Sequence, residues 1–259
     1  MCDGGKPRGL ADRLSSFARV VGFYLISAAW LPVIIAVALV RPGPAYYPLV
    51  RAWARFTLGW FGIRLRVSGS ENLESGRDYV VLANHRSHFD SLALIVAFAG
   101  HETRWVAKRE LQRVPIFGFG LRATGQILID RSNRQGAVEE LRRHLGQRGA
   151  SVVFFPEGRR APGLALLPFK KGGAAFAIDA GLAILPVAIS GSERVLPRES
   201  MLVRSGDIQI AIGKPFDPGT PESADRERVT ARVRDVIEAM LARMDGNRAI
   251  AETADGGNV

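Results

Sequence analysis

Cysteine is nearly absent: Cys2 is the single example in 259 residues. One thiol excludes a disulfide framework and a cysteine-rich metal site within one chain. Histidine is scarce as well, with four in all. Acidic side chains are missing from Arg13 to Ser70, a stretch that holds Arg13, Arg19, Arg41, Arg51, Arg55, Arg64 and Arg66. No internal repeat, long linker or recognisable nucleic-acid motif is visible. There is no G-x-S-x-G nucleophile elbow, and Cys2 is not placed as a nucleophile.

What is present compensates for these gaps. Hydrophobic residues make up 47% of the chain, enough for a substantial core. The formal charge is +10, from 35 basic and 25 acidic residues. Such an excess points to an anionic partner: nucleic acid, a phospholipid surface or a phosphorylated substrate. The missing motif and the apolar run described next disfavour nucleic acid.

Residues 20–40, VVGFYLISAAWLPVIIAVALV, carry no charge. As a helix they reach roughly 30 Å, near the thickness of a bilayer core. Pro32 lies mid-run, so the expectation divides between one spanning helix and a bent hairpin entering one leaflet. A buried core helix is the ordinary alternative. A cleaved signal peptide fits poorly, because the run is long and no clear small-residue cleavage site follows. After Pro42-Gly43-Pro44, Leu49, Trp53, Phe56 and Trp60 fall roughly on one helical face and Arg51 and Arg55 on another. That pattern suits a helix at a membrane interface, or packing against the following domain.

From about residue 64 the texture changes. Strands are predicted at 65–69, 79–84, 103–108, 126–131, 151–155, 182–190 and 207–216, the last ended by a proline turn, with helices at 90–100, 134–148, 172–181 and 223–244. The expected fold is α/β: a mixed, largely parallel sheet flanked by helices, preceded by an N-terminal membrane-inserting helical element. The expected division is a membrane-associated helical element over 1–62, an α/β domain over 63–245 and a flexible tail over 246–259.

In such sheets, polar residues after the strands line the ligand crevice. Asn84-His85-Arg86-Ser87-His88-Phe89-Asp90 follows one strand. A turn that brings Asp90 against His85 makes a proton-accepting pair: the carboxylate fixes the tautomer and favours the imidazolium that forms. Two alternatives stay open on local grounds. His85, His88 and Asp90 are plausible zinc ligands, although His101 and His144 lie in no ligand context. The turn is otherwise purely structural. Phe155-Pro-Glu-Gly-Arg-Arg160 follows another strand. Gly158 permits close backbone approach, Arg160 can present a fork to phosphate with Arg159 beside it, and Glu157 can accept from a hydroxyl or hold an arginine. Lys170-Lys171-Gly172-Gly173 opens a helix, a favourable place for an anion. Lys108 with Glu110, and Asp130 with Arg131, stand at further strand ends. A solvated basic turn explains each loop singly; together they suggest a shared phosphate site.

These blocks resemble the membrane-associated glycerolipid acyltransferase family, typified by 1-acylglycerol-3-phosphate acyltransferases. The matching blocks, in order, are Asn84-His85 with Asp90, Gly125 to Arg131, Phe155 to Arg160, and Leu185 to Ile189. Lys108 to Leu111, the apolar N-terminal segment and Gly213-Lys214-Pro215 are similar too. The resemblance implies an enzyme that moves a fatty acyl group from a thioester to the sn-2 hydroxyl of lysophosphatidic acid, giving phosphatidic acid. It implies His85 as general base and Asp90 as its orienting carboxylate. It implies acceptor binding by Asn84, Lys108, Asp130, Arg131, Glu157, Gly158, Arg159, Arg160 and Lys170, with Pro186 near the acyl or acceptor channel. No metal and no cofactor are expected. Acyl-CoA or acyl carrier protein is the co-substrate, an anionic membrane surface the partner, and the bacterial inner membrane, with the site facing the cytoplasm, the location. Two departures bear on the acceptor: Arg159 replaces the family's usual small hydroxyl residue, and Ala161 a serine. Another lysolipid, such as a lyso amino-acid lipid, and a non-catalytic phospholipid-binding protein are the competing readings.

Overall fold

The structure is a computed structural model that describes residues 10–41, 44–113, 117–129, 136, 139, 150–200, 202–221 and 223–255. The candidates Asp130 and Arg131 lie outside the described residues, as does most of the predicted 134–148 helix.

The charge-free run forms one helix, α1 (Leu10–Val40), with Pro32 inside it. The chain does not reverse at Pro32. It reverses after Val40, and α2 (Tyr47–Trp60) runs back along α1. Trp53 Nε1 donates to Ser27 Oγ at 3.2 Å and Trp60 Nε1 to the Arg19 carbonyl at 3.0 Å. The Phe23 ring lies 5.7 Å from that of Phe61 and 6.3 Å from that of Trp53. The expected aromatic face of α2 therefore divides. Leu49 and Trp53 pack inward, whereas Phe56 and Trp60 stack on each other at the surface. Segment Phe17–Val40 is long and apolar enough to cross a membrane and is almost unburied in the isolated chain.

A seven-stranded sheet follows, in the order β1-β7-β6-β2-β5-β3-β4. Its strands are β1 (Ile63–Ser68), β2 (Val80–Ala83), β3 (Glu102–Lys108), β4 (Ile127–Ile129), β5 (Ala150–Phe154), β6 (Ile184–Ser190) and β7 (Gly206–Ile212). Every neighbouring pair is parallel except β6 with β7. The central strands β2 and β6 are buried along their whole length. Burial on both faces is why their sequences are continuous apolar runs rather than alternating ones. One face packs against α2 and α3 (Phe89–Ala97) through Val81, Ala83, Leu185, Val187 and Ile210. The other packs Val80, Leu82, Ile184 and Ala188 against α5 (Gly172–Ala180) and α7 (Arg226–Asp255). Two shorter helices, α4 (Phe117–Ala123) and α6 (Ser192–Val195), also occur among the described residues. The helical backbone of α7 continues past 245 to Asp255, where a flexible tail was expected.

Two glycines are required by close approach. A Cβ on Gly173 would stand 2.5 Å from Leu82, so α5 can lie this near the sheet because no side chain intervenes. Gly213 accommodates Pro186 in the same way, with 2.9 Å to the proline ring. Pro186 is tolerated inside a central strand for a second reason. Its carbonyl accepts the Gly213 amide at 2.8 Å, just where the β7 ladder ends, so the donor it lacks faces an interrupted edge. Its ring is thus buried on the face that α7 covers. It packs the core there, against Gly213.

A buried polar cluster joins the helical hairpin to the sheet. Tyr46 Oη donates to Glu102 Oε1 at 2.8 Å and lies 2.7 Å from the Thr124 carbonyl, and Tyr47 Oη meets Thr103 Oγ1 at 2.6 Å. Burial, and then the Glu102 charge, push the Tyr46 phenol up, so it remains a donor. Tyr46→Phe would leave Glu102 with Arg104, 3.4 Å away, as its remaining charged partner. The expected cost is about 1–3 kcal/mol, read as a lower thermal midpoint in detergent. An unchanged midpoint would mean that apolar packing alone joins the two parts.

Candidate active site

The strand order β6-β2-β5 brings three loops together at the carboxyl edge of the sheet. Asn84 extends the ladder one step beyond β2. Its Nδ2 donates to the Ile189 carbonyl at 2.9 Å, and its Oδ1 accepts the Ile189 amide at 2.7 Å. The side-chain amide thus acts as a strand partner and pins the start of the turn.

The turn delivers His85 to Asp90. His85 Nδ1 lies 2.8 Å from Asp90 Oδ2. The same oxygen accepts the amides of Arg86 at 2.7 Å and Ser87 at 2.8 Å. Asp90 is fully buried in the first turn of α3, where a negative charge is favoured by the helix dipole. With Nδ1–H directed at the carboxylate, Nε2 carries the lone pair. The imidazole ring lies flat on Phe155, at 4.0 Å and 11°, with Trp105 5.7 Å behind that ring. The histidine side chain keeps 17% of its surface open. A basic nitrogen is therefore presented at the surface in a fixed orientation.

Glu157 has a different task from those expected of it. Its Oε1 accepts the His85 amide at 2.7 Å and its Oε2 the Leu167 amide at 2.9 Å. Both oxygens serve backbone, neither an arginine nor an open crevice. Burial raises this carboxyl above the usual range, against the pull of those two amides and of the His85 and Arg86 charges.

The basic groups converge in part. Gly158 has φ 71°, the left-handed region that glycine adopts freely, and a Cβ there would meet Lys170 Nζ at 2.7 Å. Lys170 therefore stands over the Glu157–Gly158 turn. Its neighbour Lys171 turns away to pair with Glu227. Arg160 is half-buried and Arg159 exposed. Lys108 ends β3, on the same edge of the sheet. His88 is exposed at the start of α3. Desolvation of the covered part of its ring, then the nearby Arg160 charge and repulsion from His85 when that ring is protonated, push its imidazole down. No group of three or more His, Cys, Asp or Glu side chains with metal-binding geometry occurs among the described residues.

Sequence reasoning passed over two residues here. Phe155 carried a signal, as the aromatic that ends a strand directly before the Pro-Glu-Gly turn. Arg86 carried none, because an arginine between two histidines reads as surface.

The site thus pairs a carboxylate-oriented imidazole with a basic loop, at the carboxyl edge of a mixed α/β sheet that carries an apolar helical hairpin. Comparison with known proteins makes the class definite: the Acyltransferase family model matches residues 64–190, and the chain belongs to that family of enzymes. It is 32% identical over 237 residues to the 1-acyl-sn-glycerol-3-phosphate acyltransferase of Pseudomonas aeruginosa, covering 86% of this chain and 89% of that one. It is 30% identical over 202 residues to the Escherichia coli protein of the same name, covering 77% and 80%. Its fold matches the crystal structure of the 1-acyl-sn-glycerophosphate (LPA) acyltransferase PlsC from Thermotoga maritima. The TM-score is 0.78 at 22% identity, over 90% of this chain and 98% of that one.

Proposed function

We propose that the enzyme transfers a fatty acyl group from a thioester to the sn-2 hydroxyl of 1-acylglycerol 3-phosphate at a membrane surface, giving phosphatidic acid. The observation that carries this reading is the 2.8 Å contact between His85 Nδ1 and Asp90 Oδ2, beside the loop that bears Arg160. His85 Nε2 takes the hydroxyl proton as that oxygen attacks the thioester carbonyl carbon. The C–O bond forms, the C–S bond breaks, and the departing sulfur receives the proton from the imidazolium. The products are the diacyl phosphate and a free thiol. A thiolate leaves readily, so no acyl-enzyme is needed. Arg160, with Lys170 and Lys108, binds the acceptor phosphate. Asp130 and Arg131 complete the acceptor site from beyond β4.

The acyl donor is carried on coenzyme A or acyl carrier protein, both cytoplasmic thiols. The site therefore faces the cytoplasm at the inner membrane, and α1 inserts into that bilayer. The exposed apolar surface of α1, Phe56 and Trp60 supports this placement. Ala161 is buried and donates its amide to the His85 carbonyl at 2.7 Å. The small residue at 161 thus bears little on the acceptor, whereas exposed Arg159 adds positive charge to the phosphate side.

A panel of acceptors tests the reading. Purified enzyme in mixed micelles is given 1-acylglycerol 3-phosphate, 1-acylglycerol or a lyso amino-acid lipid. Each is offered with acyl-CoA or acyl carrier protein donors, and products are identified by mass. Phosphatidic acid is the expected product. Acylation of the amino-acid lipid alone overturns the acceptor assignment, and binding without any product points to a non-catalytic lipid-binding protein.

A further inference from the structure

Arg86 has no part in the scheme above, yet it is 2% exposed and among the largest fully buried side chains. A guanidinium removed from water is strongly disfavoured unless its donors are used. Here Nη2 donates to the Leu164 carbonyl. Nη1 lies 3.8 Å from Glu193 Oε2, which accepts the Gly191 amide at 3.1 Å. Nη1 and Nε make no hydrogen bond among the described residues. One side chain thus reaches from the turn after β2 to the loop after β5 and the turn after β6. A charge buried at this cost, between three loops of the active edge, calls for a reason.

The loop over 159–167 supplies it. The loop begins with Arg159 and Arg160 and returns to Lys170. It is tied to the His85 turn at three points. The Ala161 amide donates to the His85 carbonyl at 2.7 Å. The Leu167 amide donates to Glu157, whose other oxygen holds the His85 amide. Between these ends, the Arg86 guanidinium grips the middle at Leu164, whose own side chain is exposed. A rigid planar fork fixes direction as well as distance, which a lysine does not.

We propose that Arg86 is a positioning residue for acceptor selection: it clamps the 159–167 loop so that Arg160 stands at a set distance from His85. The spacing so held selects acceptors by the separation between their phosphate and their reacting hydroxyl. The inference rests on the phosphate role given to Arg160 above. Arg86 touches no substrate and acts through the loop. A displacement of about 1 Å in such a loop is enough to lower the rate by up to roughly 100-fold.

The test uses the full chain in detergent micelles as wild type, Arg86→Met, Arg86→Lys and Glu193→Gln. The last variant removes the partner charge without touching the catalytic turn. Amide hydrogen exchange over 159–167 reads the clamp without reference to activity, and faster exchange is expected in Arg86→Met and Glu193→Gln. In Arg86→Met the KM for 1-acylglycerol 3-phosphate is expected to rise roughly tenfold with a smaller change in kcat, while kcat/KM for phosphate-free 1-acylglycerol stays within about twofold. Arg86→Lys is expected to recover part of the loss. Unchanged exchange in both Arg86→Met and Glu193→Gln overturns the clamp. Equal losses on both acceptors, or a fall in kcat at constant KM, overturn its role in selection and leave a structural one. If wild type fails to use 1-acylglycerol 3-phosphate while the loop still responds to Arg86→Met, the proposed acceptor fails and the clamp stands.

Discussion

His85→Ala is expected to lower kcat by on the order of 10³-fold, the usual contribution of a well-placed general base. The protein should still fold and bind micelles. The backbone contacts of residue 85 survive the substitution, since its amide still meets Glu157 and its carbonyl still meets Ala161. What is lost in packing is the face of one ring against Phe155, worth about 0.5–1.5 kcal/mol. A melting curve close to wild type, with turnover gone, is the expected pair of results. A folded variant with near-normal turnover would remove His85 from the mechanism.

Replacing Asp90 separates charge from orientation. A single oxygen, Oδ2, meets the His85 ring and the amides of Arg86 and Ser87. In Asp90→Asn, the new side chain in the same rotamer would keep all three contacts through its carbonyl, lose the negative charge, and place its NH2 group where Oδ1 is buried without a hydrogen-bond partner among the described residues. A hydrogen bond to a charged group contributes about 1.5–3 kcal/mol. That loss corresponds to a kcat roughly 10- to 100-fold lower in Asp90→Asn. Asp90→Ala removes orientation too, and leaves two buried amides without an acceptor, at about 1–3 kcal/mol each. It is expected to approach His85→Ala in kcat and to melt well below Asp90→Asn. Equal activity in Asp90→Asn and Asp90→Ala would show that charge alone matters. Wild-type activity in Asp90→Asn would show that orientation alone matters.

Much of the architecture is legible without coordinates. β2, β5 and β6 are central and buried, so their strands read as largely apolar runs, with Ser151 and Ser190 the polar residues in β5 and β6. α4 leaves no such signal, because Phe-Gly-Phe-Gly-Leu-Arg-Ala has two glycines and no clear helical period. The continuity of α1 through Pro32 is not decided locally, since a proline favours a break without compelling one. The antiparallel placement of β7 beside β6 leaves no local trace at all, as strand direction depends on a connection rather than a composition.

The amino-acid sequence alone determined which chemical groups reach the site: an imidazole and several cations in the loops that follow strands, and a carboxylate at the start of the next helix. It also determined that an apolar, acid-free segment precedes them. Local spacing is enough for this, because a strand followed by a tight turn puts its next polar residues at the sheet edge whatever lies beside it. Tertiary structure decided what each group touches. It gave both Glu157 oxygens to backbone amides, sent Lys170 to Gly158 and Lys171 to Glu227, buried Pro186 under α7 and enclosed Arg86. The physical reason is that these contacts join segments far apart in the chain, such as Asn84 with Ile189. They exist only because β6, β2 and β5 lie side by side, and no local pattern specifies that order.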